Sequence, residues 1–210
     1  MISARWGCKN QINTDFEKNL SRVQNLVNLY DRVTSSGQGR RRVEQQDILR
    51  AAVVFLHASL EDLLRELLRK YLPSADEGIW DDLEMPLAGM KGPKFTLYHL
   101  ATWRGSDVDD VFEDSVDAYL EKSNFNHVAD LRNGLEYLGL DPELVRPFAD
   151  DIGPLIKRRH HVVHRFDVDR SLKGEGNRSA RSLSLKGVET WCSAIERFGN
   201  CVLASAEEQL

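Results

Sequence analysis

The sequence predicts an all-α bundle of about five to seven helices, with a kink in the helix that carries its most unusual residues. Three observations lead there. Apolar residues recur at spacings of three and four over long stretches, as on one face of a helix. No stretch alternates with the period of two that a half-buried strand requires. The 210 residues are 41% hydrophobic and 29% charged, the balance of a folded globular chain and too apolar for a disordered one.

Taken in order, Phe16, Leu20, Val23, Val27 and Tyr30 form the seam of a first helix that Asn13 or Thr14 can cap. The run Thr34-Ser35-Ser36-Gly37-Gln38-Gly39 breaks it. A second helix is expected from about Glu44 to Tyr71, closed by Leu72-Pro73. Its stripe is Leu49, Val53, Leu56, Leu60, Leu63, Leu67 and Tyr71. On its polar side His57, Glu61 and Arg65 follow at intervals of four, where side chains meet. That row is either a surface ion network or a buried polar row against another helix.

Residues 73–105 are punctuated by Pro73, Pro86 and Pro93 and by four glycines, and read as a variable connector with two short helices. Acidic helices are expected at about 109–121 and 126–138, the second ended by Gly139. Asp141-Pro142-Glu143 then starts another, with a capping side chain, proline in the first turn and an acid near the positive dipole end. Pro154 has no N–H to donate and clashes with the preceding turn, so a kink or restart is expected there, followed by a helix from Leu155 to about Arg165. Residues 167–182 have loop composition. The last helix runs from Leu185, capped by Ser184, to near Glu207, with Val188, Trp191, Ile195, Phe198 and Val202 inward. The whole reads as one domain over 1–210, with its core at about 45–208 and an N-terminal helix and loop over 1–43.

Composition narrows the function classes. Cys8, Cys192 and Cys201 cannot all pair and form no CxxC, which argues against a disulfide scaffold or zinc ribbon. No apolar run spans a bilayer and the N-terminus has no signal-peptide h-region, so a cytoplasmic protein without a membrane partner is expected. The net charge of -5 is unevenly spread: residues 106–151 hold 13 acidic groups against 3 basic ones. That acidic stretch would repel RNA and is expected to lie away from the basic clusters. Those clusters are Arg40-Arg41-Arg42 and Lys157-Arg158-Arg159 continuing to Arg165. Trp6, Trp80 and Trp103 lie outside the helix stripes and either stack on bases or pack the connector.

Three of the six histidines fall in Arg159-His160-His161-Val162-Val163-His164. His160 and His164 lie about 40° apart on the helix, whereas Arg159 lies about 140° from His164. Val162 and Val163 are expected to anchor the opposite side. Imidazoles take and give protons near neutral pH, and arginine stabilises negative charge on phosphate. The combination suits phosphodiester cleavage through a 2′-hydroxyl, which requires neither metal nor cofactor. A rival reading chelates zinc with His160 and His164 and a third ligand from Asp167 or Asp169. However, His161 stands where a zincin motif needs glutamate, and the arginines disfavour a dication.

These residues resemble the HEPN superfamily, all-α bundles whose ribonuclease members carry R-x4–6-H with a polar residue after the arginine. Arg159-x4-His164 matches with His160 as that polar residue, and Arg158 satisfies the x5 spacing. The segments 55–72 (FLHASLEDLLRELLRKYL), 123–141 (SNFNHVADLRNGLEYLGLD) and 158–167 (RRHHVVHRFD), with the closing helix around Trp191, are similar to the RiboL-PSP branch. The resemblance implies metal-independent RNA cleavage to 2′,3′-cyclic phosphate ends by a homodimer that joins two motifs in one cleft. Such a protein acts as a toxin or phage-defence effector on tRNA or single-stranded RNA. His164 would transfer protons, Arg159 would hold phosphate and transition-state charge, and His160 would orient groups or act as a second acid or base. Lys157, Arg158 and Arg165 would bind the RNA backbone, and His161 would be structural. Nucleotidyltransferase-controlled members carry a modified tyrosine two residues after the histidine. Phe166 stands there and has no hydroxyl, so direct binding by an antitoxin or regulatory protein is the remaining form of control. The alternative is a non-catalytic HEPN module that binds RNA, a nucleotide or a protein partner.

Overall fold

A computed structural model describes residues 2–35, 43–75, 77–82, 97–165, 167 and 181–209. Among these, every regular element is a helix and none is a strand. The α-helices are α1 (Ile2–Thr34), α2 (Val43–Tyr71), α3 (Glu77–Asp82), α4 (Leu97–Thr102), α5 (Val108–Leu120), α6 (Val128–Tyr137), α7 (Ala149–Arg165) and α8 (Leu185–Gln209). Short 3₁₀ turns, Leu72–Ser74 and Pro142–Phe148, precede α3 and α7. No helix of the described residues is long and apolar enough to cross a membrane.

The two longest apolar stripes build the centre. From α2, Leu49, Val53, Leu56, Leu60, Leu63 and Leu67 are all buried, as are Val188, Ile195, Phe198 and Val202 of α8. Removing a leucine-sized side chain from water contributes about 1.5–3 kcal/mol, so these two helices supply much of the stabilising burial. Phe16, Val23, Val27 and Tyr30 of α1 join the same core. Helix α1 lies along α2 and also reaches α8, where the Phe16 ring covers Gly199.

Helix α1 starts well before the expected cap. Asn13 and Thr14 lie inside it, and Asn13 Nδ2 donates to Glu17 Oε1 (3.4 Å) one turn along instead of closing an end. Between Ile2 and Ile12 only Gly7 weakens a helix, so nothing stops it. Helix α6 begins at Val128, where the His127 N–H donates to Asp130 Oδ2 (2.8 Å). It stops at Gly139, which has φ +70°. The Gly139 and Leu140 N–H groups close on the Glu136 and Leu135 carbonyls (2.9 Å each), and Leu140 is buried.

The expected restart after Gly153-Pro154 does not occur. Helix α7 is continuous from Ala149 through Pro154, which faces solvent together with Asp150, so the carbonyl left without an N–H partner lies on the wet side. Ser184 caps α8 as expected, its Oγ accepting from the Gly187 N–H (3.1 Å). In the connector, Trp80 packs edge-on to Phe112 with ring centroids 4.9 Å apart, and its Nε1 donates to the Ala75 carbonyl (3.3 Å). The Arg40–Arg42 cluster, residues 83–96, Phe166 and Asp169 lie outside the described residues, as do the side chains of Trp6, Cys8 and His99.

Candidate active site

Helix α7 enters the core through Ile152, Leu155 and Ile156, which are buried. Its last turns project beyond that anchorage. Lys157, His160, Val163, His164 and Arg165 are exposed, with Val163 at 45%. The expectation that Val163 anchors the helix is therefore corrected: the apolar grip ends at Ile156. His160 and His164 sit one turn apart with ring centroids 4.6 Å apart and planes tilted by 46°. His161 is half-buried, and its ring lies 6.3 Å from that of His160. Partial shielding from water, followed by the charges of His164, Arg165, His161 and Arg159, holds the His160 imidazole below its ordinary value of 6.5.

The two motif arginines have opposite surroundings. Arg158 turns inward: its Nη2 donates to Asp167 Oδ2 (2.6 Å), to the Arg181 carbonyl (2.7 Å) and to the Ser182 carbonyl (3.2 Å). Asp167 is fully buried and also accepts from Arg50 Nε of α2 (3.1 Å). Its backbone adopts φ +58°, its N–H donates to the His161 carbonyl (3.0 Å), and its own carbonyl accepts from the Arg181 N–H (2.9 Å). One residue thus ties the end of α7, α2 and the 181–182 segment together. The RNA contact expected of Arg158 would therefore compete with three intramolecular acceptors of its Nη2, although the side chain keeps 15% exposure. Two arginine cations on Oδ2 of the fully buried Asp167 also disfavour a zinc ion at that carboxylate. Among the described residues no three His, Cys, Asp or Glu side chains gather as a metal site.

Arg159 instead lies at the edge of the polar row of α2. Its Nη1 donates to Asn126 Oδ1 (3.3 Å) and its Nη2 lies 3.8 Å from Glu61 Oε2. The row His57-Glu61-Arg65, with His57 buried and the other two half-buried, meets the Ser123–Asn126 loop and not another helix. His57 Nε2 donates to the Phe125 carbonyl (3.1 Å), Glu61 Oε1 accepts from the Phe125 N–H (3.3 Å), and Arg65 Nη2 donates to the Ser123 carbonyl (2.6 Å). Burial works to raise the Glu61 carboxyl, yet the proximity of His57, the Phe125 N–H and the charge of Arg159 bring it below the ordinary value.

The acidic stretch is accordingly not wholly remote from α7. Its Ser123–Val128 segment lies alongside, with Asn126 on Arg159 and Val128 beside Gly153. On α5, Asp117 meets α2, where Arg69 Nε donates to its Oδ1 (2.6 Å). Sequence periodicity did not identify Glu61 and Asn126 as neighbours of the motif arginine; the four-residue spacing of the polar row was the available signal.

Among the described residues the chain is an all-helical bundle with R-x4-H on α7, consistent with the HEPN class of domains, which are generally nucleases or otherwise tied to RNA. Within that class the chain matches the RiboL-PSP-HEPN family model over residues 17–206 and belongs to that family. No curated protein and no solved structure matches it.

Proposed function

We propose that the protein is a metal-independent endoribonuclease of the HEPN type, acting on RNA as a toxin or phage-defence effector from the cytoplasm. The observation that carries this reading is the exposed His160–His164 pair, 4.6 Å apart, on the helix turn that also bears the restrained Arg159. In the reaction a 2′-hydroxyl attacks the adjacent phosphorus, its proton passes to an imidazole, and the 5′-oxygen leaves with a proton from a second donor. The products are a 2′,3′-cyclic phosphate and a 5′-hydroxyl. His164 and His160 are the proton-transfer groups. The environment that holds His160 below its ordinary value favours the neutral imidazole, the form that accepts a proton. Arg159 neutralises charge growing on the phosphate oxygens, where a guanidinium binds with planar, paired geometry.

Lys157 and Arg165, both exposed, bind the RNA backbone. His160, Val163 and His164 share one exposed face at spacings of three and one, an apolar-plus-imidazole surface suited to meeting the same surface of a second copy about a two-fold axis. Such a homodimer brings Arg159 of one protomer near His164 of its partner and relieves their angular separation on a single helix.

The test is incubation of purified protein with mixed tRNA and single-stranded RNA in EDTA beside a His164→Ala control. Cleavage with cyclic-phosphate ends that disappears in the variant is expected. A folded, dimeric wild type that leaves RNA intact would refute ribonuclease action by the protein alone and favour a binding module or an enzyme that awaits an activating partner.

A further inference from the structure

The polar row of α2 satisfies the backbone of the Ser123–Phe125 loop, through His57 and Glu61 on Phe125 and Arg65 on Ser123. That use leaves one Glu61 carboxylate oxygen over. His57 is fully buried and the Glu61 side chain is only 13% exposed. Their partners restrict them closely. The Phe125 carbonyl can only accept, so the hydrogen of the His57 ring sits on Nε2. His57 Nδ1 then faces Glu61 Oε2 at 3.6 Å and has no hydrogen-bond partner of its own. Glu61 Oε1 is taken by the Phe125 N–H, which leaves Oε2 directed between His57 and Arg159.

We propose that Glu61, held by the Phe125 N–H and assisted by Asn126, is a positioning residue for Arg159, resting on the ribonuclease reading of that arginine. A free arginine side chain carries about 2 kcal/mol of rotamer entropy that a phosphate contact would otherwise have to overcome. Glu61 and Asn126 approach Nη2 and Nη1 and fix the guanidinium plane in advance. A guanidinium has five N–H donors, so others remain for phosphate oxygens. The carboxylate also keeps the charge of Arg159 balanced until a phosphodiester arrives, whose own negative charge grows as the 2′-oxygen attacks.

The experiment compares wild type, Glu61→Gln, Arg159→Ala and the double variant on a labelled single-stranded RNA in EDTA, with thermal melting to establish folding. Glu61→Gln keeps the shape and removes the charge, and should lower kcat on the order of 10- to 100-fold with KM unchanged. Glu61→Asp should recover part of the loss. On the Arg159→Ala background Glu61→Gln should cost nothing further, because the residue it positions is already gone. Multiplicative losses, or a loss confined to KM, would overturn the proposal. Asn126→Ala, in the loop and only half-buried, provides the same cycle should Glu61 variants fold poorly. A second readout does not depend on catalysis: phenylglyoxal modification of Arg159, followed by peptide mass mapping. It should be slow in wild type and several-fold faster in Glu61→Gln. Equal rates would overturn the positioning role even if wild type cleaves no RNA, whereas faster modification with no wild-type cleavage would count only against the ribonuclease reading.

Discussion

Arg158→Ala separates an interior arginine from an RNA-binding one. In the structure it removes three donor contacts, to Asp167 Oδ2 and to the Arg181 and Ser182 carbonyls. Breaking a buried ion pair typically costs about 3–5 kcal/mol, because one charge is left uncompensated. Two features reduce that figure here. Asp167 keeps Arg50 Nε at 3.1 Å, and the Arg181 carbonyl keeps Arg50 Nη2 at 3.1 Å. The Arg158 side chain also retains 15% exposure, so water reaches part of the gap. The expected loss is therefore about 2–3 kcal/mol. At about 2–4 °C per kcal/mol for a chain of this size, Tm should fall by roughly 5–10 °C. The assay is thermal unfolding by circular dichroism, beside RNA affinity by anisotropy on a His164→Ala background, so that the RNA remains whole. Lys157→Ala and Arg165→Ala are the contrast: unchanged Tm, weaker RNA binding and a salt slope reduced by about 1 each. If Arg158→Ala leaves Tm in place and instead weakens RNA binding with that loss of slope, the inward assignment is wrong and Arg158 belongs to the RNA face.

Two glycine replacements should differ in size. A Cβ on Gly199 would sit 2.4 Å from the buried Phe16 ring, so Gly199→Ala should destabilise by about 1–3 kcal/mol despite better helix propensity. A Cβ on Gly153 would lie in ordinary contact with Val128 at 3.7 Å, but a side chain before Pro154 disfavours helical backbone and offsets the gain in propensity, so Gly153→Ala should change stability by less than about 1 kcal/mol. Urea melts of both measure this, and a neutral Gly199→Ala would show that the α1–α8 contact is looser than described. The His160 imidazole should titrate below 6.5 by NMR, and His164→Ala should move its midpoint upward. The folded chain binds that proton more weakly than the unfolded one. The stability His160 contributes is thus complete above pH 6.5 and is lost as pH falls through its lowered value. A midpoint at or above 6.5 would contradict the environment described for the pair.

The sequence made legible what depends on local periodicity and local chemistry. The stripes of α2 and α8 are long and uninterrupted, Gly139 marks a stop that needs positive φ, and Ser184 caps as its position suggests. The R-x4-H spacing was equally local. What escaped depends on neighbours distant in the chain. Arg158 and Arg159 both satisfy the motif spacing, and only the side chain each meets, Asp167 or Glu61, tells them apart. Glu61 and Arg159 lie on α2 and α7, and no pattern within either helix says that the two faces meet. Val163 reads as an anchor by composition, but the helix has already left the core at that turn. Pro154 reads as a breaker, yet on a solvent-facing turn its missing N–H costs little, since water can satisfy the carbonyl it leaves free.

The Asp167 clamp has a consequence for how α7 keeps its seat. The chain leaves α7 at Asp167 and is hydrogen-bonded back to it at Arg181, so departure and return share one fixed point against α2. The two ends are thus held by one buried carboxylate and one backbone pairing, so the seating of α7 on α2 does not depend on the chain between them. The arginine that Glu61 and Asn126 meet keeps its place through contacts made by the helices and the 123–126 loop.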